Sequence, residues 1–221
     1  RFLFSSEPTT YSFKPAYFSV DSRIGDTITM LHLENPDARY TILYSHGNLE
    51  DIGFIRPRME IFRKEGFSVL SYDYPGFGTS SGKKTEEGVF AAAEAAYNYL
   101  TQVKQIPPER IIVYGRSMGG GPTSYLSERF HVGGTVLHCA FVSAYRVQTG
   151  IRILPWDRFE NINRVPHFRS PLLLIHGTHD ETVPLWHSKL LAQKAPPSIP
   201  VQTLFVPYAL HNNVVEMARE D

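Results

Sequence analysis

An α/β architecture, with a mostly parallel central sheet, helices on both faces and a short cap, is what this sequence predicts. Three observations predict it. From Thr27 to the end of the chain, apolar β-branched runs alternate with segments of helical periodicity, the pattern of strands joined by crossover helices. The run Ile111-Ile112-Val113-Tyr114 passes straight into Gly115-Arg116-Ser117-Met118-Gly119-Gly120-Gly121, a sharp strand-to-helix turn. No repeat, low-complexity stretch or linker divides the chain, so residues 1–221 are expected to form one domain with a small cap at 146–169.

The elements follow in order. Thr27–Leu33 and Thr41–Ser45 read as strands, and Ile52–Glu65 has apolar residues at helical spacing. Phe67–Tyr72 is the next strand. Beyond a Gly/Ser/Pro loop, Thr85-Glu86-Glu87 opens a helix over Glu86–Gln105, whose alanine-rich centre suits close packing on a sheet. Pro107-Pro108 ends that connection. Arg110–Tyr114 is a strand, and a helix runs from the glycines to about Phe130. Gly134–Cys139 is a strand, and 146–169, with Pro155, Trp156 and Pro166, is irregular. Pro171–His176, Leu185–Lys194 and Val201–Val206 read as strand, helix and strand, and Asn213 starts a final helix.

Composition removes several function classes. Lys+Arg and Asp+Glu are both 22, so the net charge is +0, and no dense basic run offers a nucleic-acid surface. No apolar stretch is long enough to span a bilayer. The single cysteine, Cys139, ends an apolar strand and is expected in the core, with no internal disulfide to form. With no Asn-x-Ser/Thr sequon, the expected setting is cytoplasmic, with peripheral membrane contact through a segment upstream of Arg1. Gly82-Lys83-Lys84 lacks the other residues of a phosphate-binding loop.

Gly115-x-Ser117-x-Gly119 between a strand and a helix reads as a nucleophile elbow, which holds a serine in strained backbone with its Oγ clear of the sheet. The helix behind it presents unpaired N–H groups to a developing oxyanion. A plain βα turn with Ser117 as N-cap does not need three consecutive glycines before Pro122, because each weakens a helix. Something must approach this backbone closely.

A serine hydroxyl needs a positioned base oriented by a carboxylate. In parallel sheets such groups gather beyond the carboxyl ends of strands, which selects two residues. Asp180 lies in the loop after Pro171–His176, and His211 follows Val201–Val206. The expected catalytic residues are Ser117, Asp180 and His211, with Glu181 as the rival acid. Backbone N–H groups of Met118 and of Asn48, or Leu49 in its place, are the expected oxyanion donors. His46 is expected to brace its loop, and His32, His131, His138, His167 and His187 to serve structure. A metal hydrolase using His176, His179 and Asp180 is the rival chemistry, but no His-Glu-x-x-His helix or distant third ligand accompanies that cluster.

Four motifs in order resemble the α/β-hydrolase fold: His46-Gly47-Asn48, Asp73-x-x-Gly76-x-Gly78-x-Ser80, Gly115-x-Ser117-x-Gly119 and His176-Gly177-Thr178-x-Asp180-x-x-Val183. Ser6-Glu7-Pro8-Thr9-Thr10-Tyr11, Ser45-His46-Gly47-Asn48, Gly119-x-x-Pro122-Thr123 and Phe159-x-Asn161-Ile162 are similar to the α/β-hydrolase-domain-containing protein 17 group, membrane-associated depalmitoylases that cleave S-acyl thioesters. The resemblance implies the same three catalytic residues. Two departures stand out. Arg116 occupies a place where a polar neutral residue is usual, and Tyr208-Ala209-Leu210 replaces a small glycine-containing turn.

The expected function is therefore a serine hydrolase acting on acyl esters or thioesters, an S-acylated protein among them, with no cofactor and no resident metal. A carboxylesterase, lipase or peptidase of the same fold is the near alternative, and a non-catalytic binding module on this scaffold the distant one. Ile151, Ile153, Leu154, Trp156 and Phe159 of the cap are read equally as an acyl-chain surface and as ordinary packing.

Overall fold

A computed structural model describes residues 4–5, 7–12, 16–149 and 157–218. Eight strands form one sheet: β1 (Tyr17–Asp21), β2 (Thr27–Leu33), β3 (Thr41–Ser45), β4 (Ser68–Tyr72), β5 (Ile111–Arg116), β6 (Gly134–His138), β7 (Leu172–Gly177) and β8 (Val201–Val206), in the order β1-β2-β4-β3-β5-β6-β7-β8. The pairs β1–β2 and β2–β4 are antiparallel, and every other pair is parallel. The central parallel strands β3, β4 and β5 are buried almost throughout, as their continuous apolar runs require, whereas β8, at the far edge, is largely exposed.

Chain progression reverses between β3 and β5. The chain goes from β3 to one neighbour, β4, and then returns to β5 on the other side. At such a switch point the loops leaving the two strands diverge and open a crevice. Ser45 stands opposite Gly115 across that boundary, so the loops after both strands emerge side by side.

Helices cover the sheet as the periodicity required. α1 (Ile52–Lys64) starts at Asp51, whose carboxylate accepts the Phe54 N–H, and packs Ile52, Ile55 and Met59 against Ile42, Tyr44 and Val69. α2 (Glu86–Asn98), capped by Thr85 through the Gly88 N–H, and α3 (Gly120–Arg129) share a second cluster with Leu43, Leu70 and Val113. α6 (Trp186–Lys194) packs Leu191 with Leu172 and Leu174.

Some boundaries depart from expectation. β1 was not read from the sequence, although its Tyr-Phe-Ser-Val run precedes a turn with Gly25 at φ 87°. The long helix ends at Asn98 and passes into one π-helical turn, Tyr99–Val103, before Gln105 adopts φ 54°. The cap is not irregular throughout: α4 (Ala144–Thr149), α5 (Asn161–Arg164) and a 3-10 turn, Val165–His167, lie within or at its edge. The final helix, α7, is described over Val214–Met217.

Candidate active site

β5 delivers Ser117 into left-handed backbone at φ 52°, a conformation that costs a side-chain-bearing residue about 1–2 kcal/mol. A 3-10 turn, Ser117–Gly119, then leads into α3. Sterics enforce the turn. A Cβ on Gly115 would sit 2.3 Å from the Gly119 carbonyl oxygen, and one on Gly119 would sit 2.0 Å from that of Ser45. A Cβ on Gly121 would lie 2.3 Å from the Phe159 ring. The close approach expected at the glycines is thus made by the end of β3 and by the cap.

Asp180 and His211 follow neighbouring parallel strands, β7 and β8. Asp180 Oδ1 accepts the N–H groups of Thr182 and Val183 at 2.9 and 2.8 Å, which fixes the carboxylate at the loop's tip. Its Oδ2 accepts His211 Nδ1–H at 2.7 Å. Burial works against charge on Asp180, but the His176 ring, with Nε2 at 3.3 Å, and the hydrogen bonds from His211 and the Val183 N–H outweigh it and hold the carboxyl well below its usual range. A carboxylate on Nδ1 fixes the proton there, so the neutral His211 ring keeps a lone pair on Nε2. Glu181, the rival acid, is exposed.

The metal reading fares differently. Val183 O can only accept, so His176 Nε2 carries a proton toward it at 2.7 Å, and Nδ1 accepts from the Ser188 hydroxyl at 2.7 Å. Both ring nitrogens of His176 are therefore committed. His179 pairs with Thr178 and lies tilted against the Tyr208 ring. Among the described residues, Cys139, Asp180 and His211 do bring ligand-capable atoms within 4.8 Å of one another. Burial, reinforced by the Asp180 charge, pushes the Cys139 thiol up to about 12, so it stays protonated, and the Asp180 oxygens are already satisfied.

The loop after β3 is braced from beneath. His46 is fully buried. Its Nδ1–H donates to Gly47 O at 2.9 Å, and its Nε2 lies 3.3 Å from Asp73 Oδ1. Burial disfavours a charged His46, yet the Asp73 carboxylate lifts its pKa above the ordinary value. Asp73 also accepts the Ile52 N–H at 2.9 Å and the Tyr11 hydroxyl. Residues 4–5 and 7–12 run over this loop: Leu49 N–H donates to Ser5 O at 3.3 Å, and Thr10 N–H to Asp51 at 2.7 Å. Leu49 therefore has its amide hydrogen engaged within the chain.

Ser117, Met118, Asn48 and His211 line one cavity of about 280 Å³. Its apolar wall comes from Leu49, Met118, Phe141, Ala144, Val147 and Val183. Asp180 sits behind His211. Of the cap residues read as an acyl surface, Phe159 is fully buried against Phe90 and Gly121, so it packs the core. Ile151, Ile153, Leu154 and Trp156 lie outside the described residues. α4 supplies the cap's share of the wall, through Ala144 and Val147. The other buried histidines serve structure: His187 Nδ1 accepts the Val142 N–H at 3.1 Å, and His138 Nδ1 pairs with the Tyr114 hydroxyl at 2.8 Å.

Sequence reasoning missed Glu50 and Asn212, and saw Arg116 only as a departure. Arg116 is buried, pairs with Glu50 at 2.9 Å and reaches Asn212 at 2.5 Å. An arginine at the end of an apolar strand was the available signal, since a buried guanidinium must find a carboxylate.

A mostly parallel sheet wrapped by helices, a strained serine at the turn after β5, and a histidine–carboxylate pair beyond β7 and β8 together define the α/β-hydrolase fold. The family described as Serine aminopeptidase, S33 matches residues 36–156, and the chain belongs to it. It is 37% identical over 183 residues to the human alpha/beta hydrolase domain-containing protein 17B, covering 81% of this chain and 63% of that protein. It is 38% identical over 186 residues to the alpha/beta hydrolase domain-containing protein aho-3 of Caenorhabditis elegans, covering 81% and 54%. The chain thus spans between about half and two thirds of the length of these curated relatives. Among solved structures, the Pyrococcus furiosus esterase Pf2001 superposes with a TM-score of 0.80 at 17% identity, covering 98% of this chain and 92% of that one. The esterase domain of a Rhodothermus marinus protein gives 0.70 at 19%, covering 92% of both. These structural likenesses speak for the fold. No helix among the described residues is long and apolar enough to cross a membrane.

Proposed function

We propose that the protein is a serine hydrolase that cleaves acyl esters or thioesters through an acyl-enzyme. One observation carries the reading. A serine in strained backbone and a histidine whose Nδ1 is held by a buried carboxylate face the same apolar-walled cavity. His211 Nε2 takes the Ser117 proton as Oγ attacks the acyl carbonyl. The carbonyl oxygen becomes an oxyanion that accepts from the N–H groups of Met118 and Asn48. Collapse of the tetrahedral intermediate breaks the bond to the leaving alkoxide or thiolate, which takes the proton from His211. Water, deprotonated by the same imidazole, then releases the acid and restores Ser117. Asp180 stabilises the imidazolium and keeps the proton on Nδ1.

The apolar wall favours an acyl chain over a polar group, and the resemblance to S-acyl thioesterases makes an S-acylated peptide the finer substrate reading. A fluorophosphonate tests the chemistry, and p-nitrophenyl esters compared with S-acyl peptides of several chain lengths test the substrate. Wild-type protein should label and turn over. Ser117→Ala should do neither while keeping its fold, with a rate loss of about 10³-fold or more. Labelling that persists in Ser117→Ala, or activity that a chelator abolishes, would overturn the reading.

A further inference from the structure

The buried pair Arg116–Glu50 has no part in the chemistry above, yet it touches the loops that carry Asn48 and His211 and stands beside Ser117. Arg116 is 5% and Glu50 7% exposed. Arg116 Nη1 donates to Glu50 Oε1 at 2.9 Å. Its Nη2 donates to the backbone oxygen of His211 at 3.2 Å and to Asn212 Oδ1 at 2.5 Å. Glu50 Oε2 accepts the Gly47 N–H at 2.6 Å, and Oε1 lies 3.6 Å from Arg58. One ion pair thereby joins the residue before Ser117, the loop bearing Asn48 and the loop bearing His211.

Filling space does not require this arrangement. Burying two charges carries a desolvation cost that an apolar pair of similar volume avoids, and the pair is tolerable only because its remaining donors and acceptors are used. The planar guanidinium fork can bond a carboxylate on one arm and two oxygens of another loop on the other, which an ammonium on a flexible stem cannot do in one fixed geometry. Through the pair, the His211 carbonyl, the Asn212 side chain and the Gly47 N–H of the oxyanion loop are tied together, although sequence separation leaves the two loops otherwise independent.

We infer that Arg116 and Glu50 are positioning residues, which hold the His211 backbone and the Gly47-Asn48 peptide in register with Ser117. This rests on the serine hydrolase reading. Displacement of a reacting group by about 1 Å costs on the order of 100-fold in rate. The effect therefore belongs in kcat and not in substrate affinity.

The test compares wild type with Arg116→Ala on a soluble short-chain ester, with and without added guanidinium. Folding is followed by circular dichroism, and the downfield proton of the His211–Asp180 hydrogen bond by NMR. Arg116→Ala should fold, lose about 100-fold in kcat and keep KM within about threefold. Free guanidinium should restore a substantial part of kcat, and the downfield line should broaden in the variant and sharpen on rescue. Undiminished kcat, or a loss that guanidinium leaves unchanged, overturns the inference. If Arg116→Ala does not fold, Arg116→Lys carries the test. It keeps a charge opposite Glu50 without the second arm, and kcat should fall about tenfold at unchanged stability; wild-type kcat in that variant overturns the inference. If the wild type neither labels nor turns over, the hydrolase reading fails, and the downfield line in the two proteins then decides the positioning claim alone.

Discussion

Asp180 Oδ2 accepts the Nδ1 proton of His211 at 2.7 Å, joining loops that leave adjacent parallel strands. Asp180→Asn should leave the fold nearly intact, because the amide can still receive the Thr182 and Val183 N–H groups on its oxygen. An amide nitrogen facing His211 favours the wrong tautomer, however. Turnover should fall by about 10³–10⁴-fold, by analogy with the same change in a well-characterised Ser-His-Asp enzyme. Steady-state kinetics on a p-nitrophenyl ester check this. A larger loss in Glu181→Gln would transfer the role to its neighbour.

The glycines after Ser117 give a second expectation. Gly119→Ala would drive a methyl to 2.0 Å from a backbone oxygen of β3, a clash that no rotamer change relieves, so soluble folded protein should be lost or reduced severely. Gly121→Ala meets a side chain instead, the Phe159 ring at 2.3 Å. Its cost, about 1–3 kcal/mol, should shrink when combined with Phe159→Leu. Denaturant melts of the two singles and the double form the cycle, and strict additivity would count against the contact.

Acid sensitivity should begin above the carboxylate range. His187 has no solvent exposure and accepts the Val142 N–H, so it must be neutral, and burial moves its pKa down to about 4. The unfolded chain gains this proton near pH 6.5, so the contribution is complete above that value. It is lost as pH falls toward 4, by about 2 kcal/mol at pH 5 for one such group. His32, also lowered to about 4 by burial, acts in the same direction. Urea midpoints at about pH 7.5 and pH 5 read the effect. Equal midpoints would show that His187 is not held neutral, and His187→Gln should remove part of the difference.

Tyr11 links the segment before β1 to the site through Asp73. Tyr11→Phe removes a hydrogen bond to a buried carboxylate, worth about 1.5–3 kcal/mol. It also frees Asp73 from one of the bonds that fix the end of the loop carrying Asn48. Thermal stability should drop, and kcat should fall more than KM rises. A change confined to stability would restrict Tyr11 to folding.

Legibility of the sequence followed the range of the interaction. Strands such as β3 and β5 were readable as continuous apolar runs, and the helices α1 and α2 because burial on one face imposes a local period over several residues. β1 escaped because it is an edge strand of five residues, Tyr-Phe-Ser-Val-Asp, too short and without a strict apolar–polar alternation to register. α4 and α5, with six and four residues, are too short for a helical period to register. Ser117 was legible from its Gly-x-Ser-x-Gly turn, and Asp180 and His211 were selected by a rule about strand ends, which needs only the order of elements. The Glu50–Arg116 pair spans 66 positions, and nothing near either residue names the other. The cavity wall from Phe141 to Val147 escaped for a related reason, since it depends on where the cap settles.

The strap formed by residues 4–5 and 7–12 has a practical consequence for anyone preparing this protein. It crosses the loop bearing Asn48 and contacts Leu49, Asp51 and Asp73. A purification tag, a protease nick or a domain boundary placed just ahead of Tyr11 would cut into the scaffolding of the candidate site. Recombinant versions should begin well upstream, or an inactive preparation will be blamed on the wrong residue.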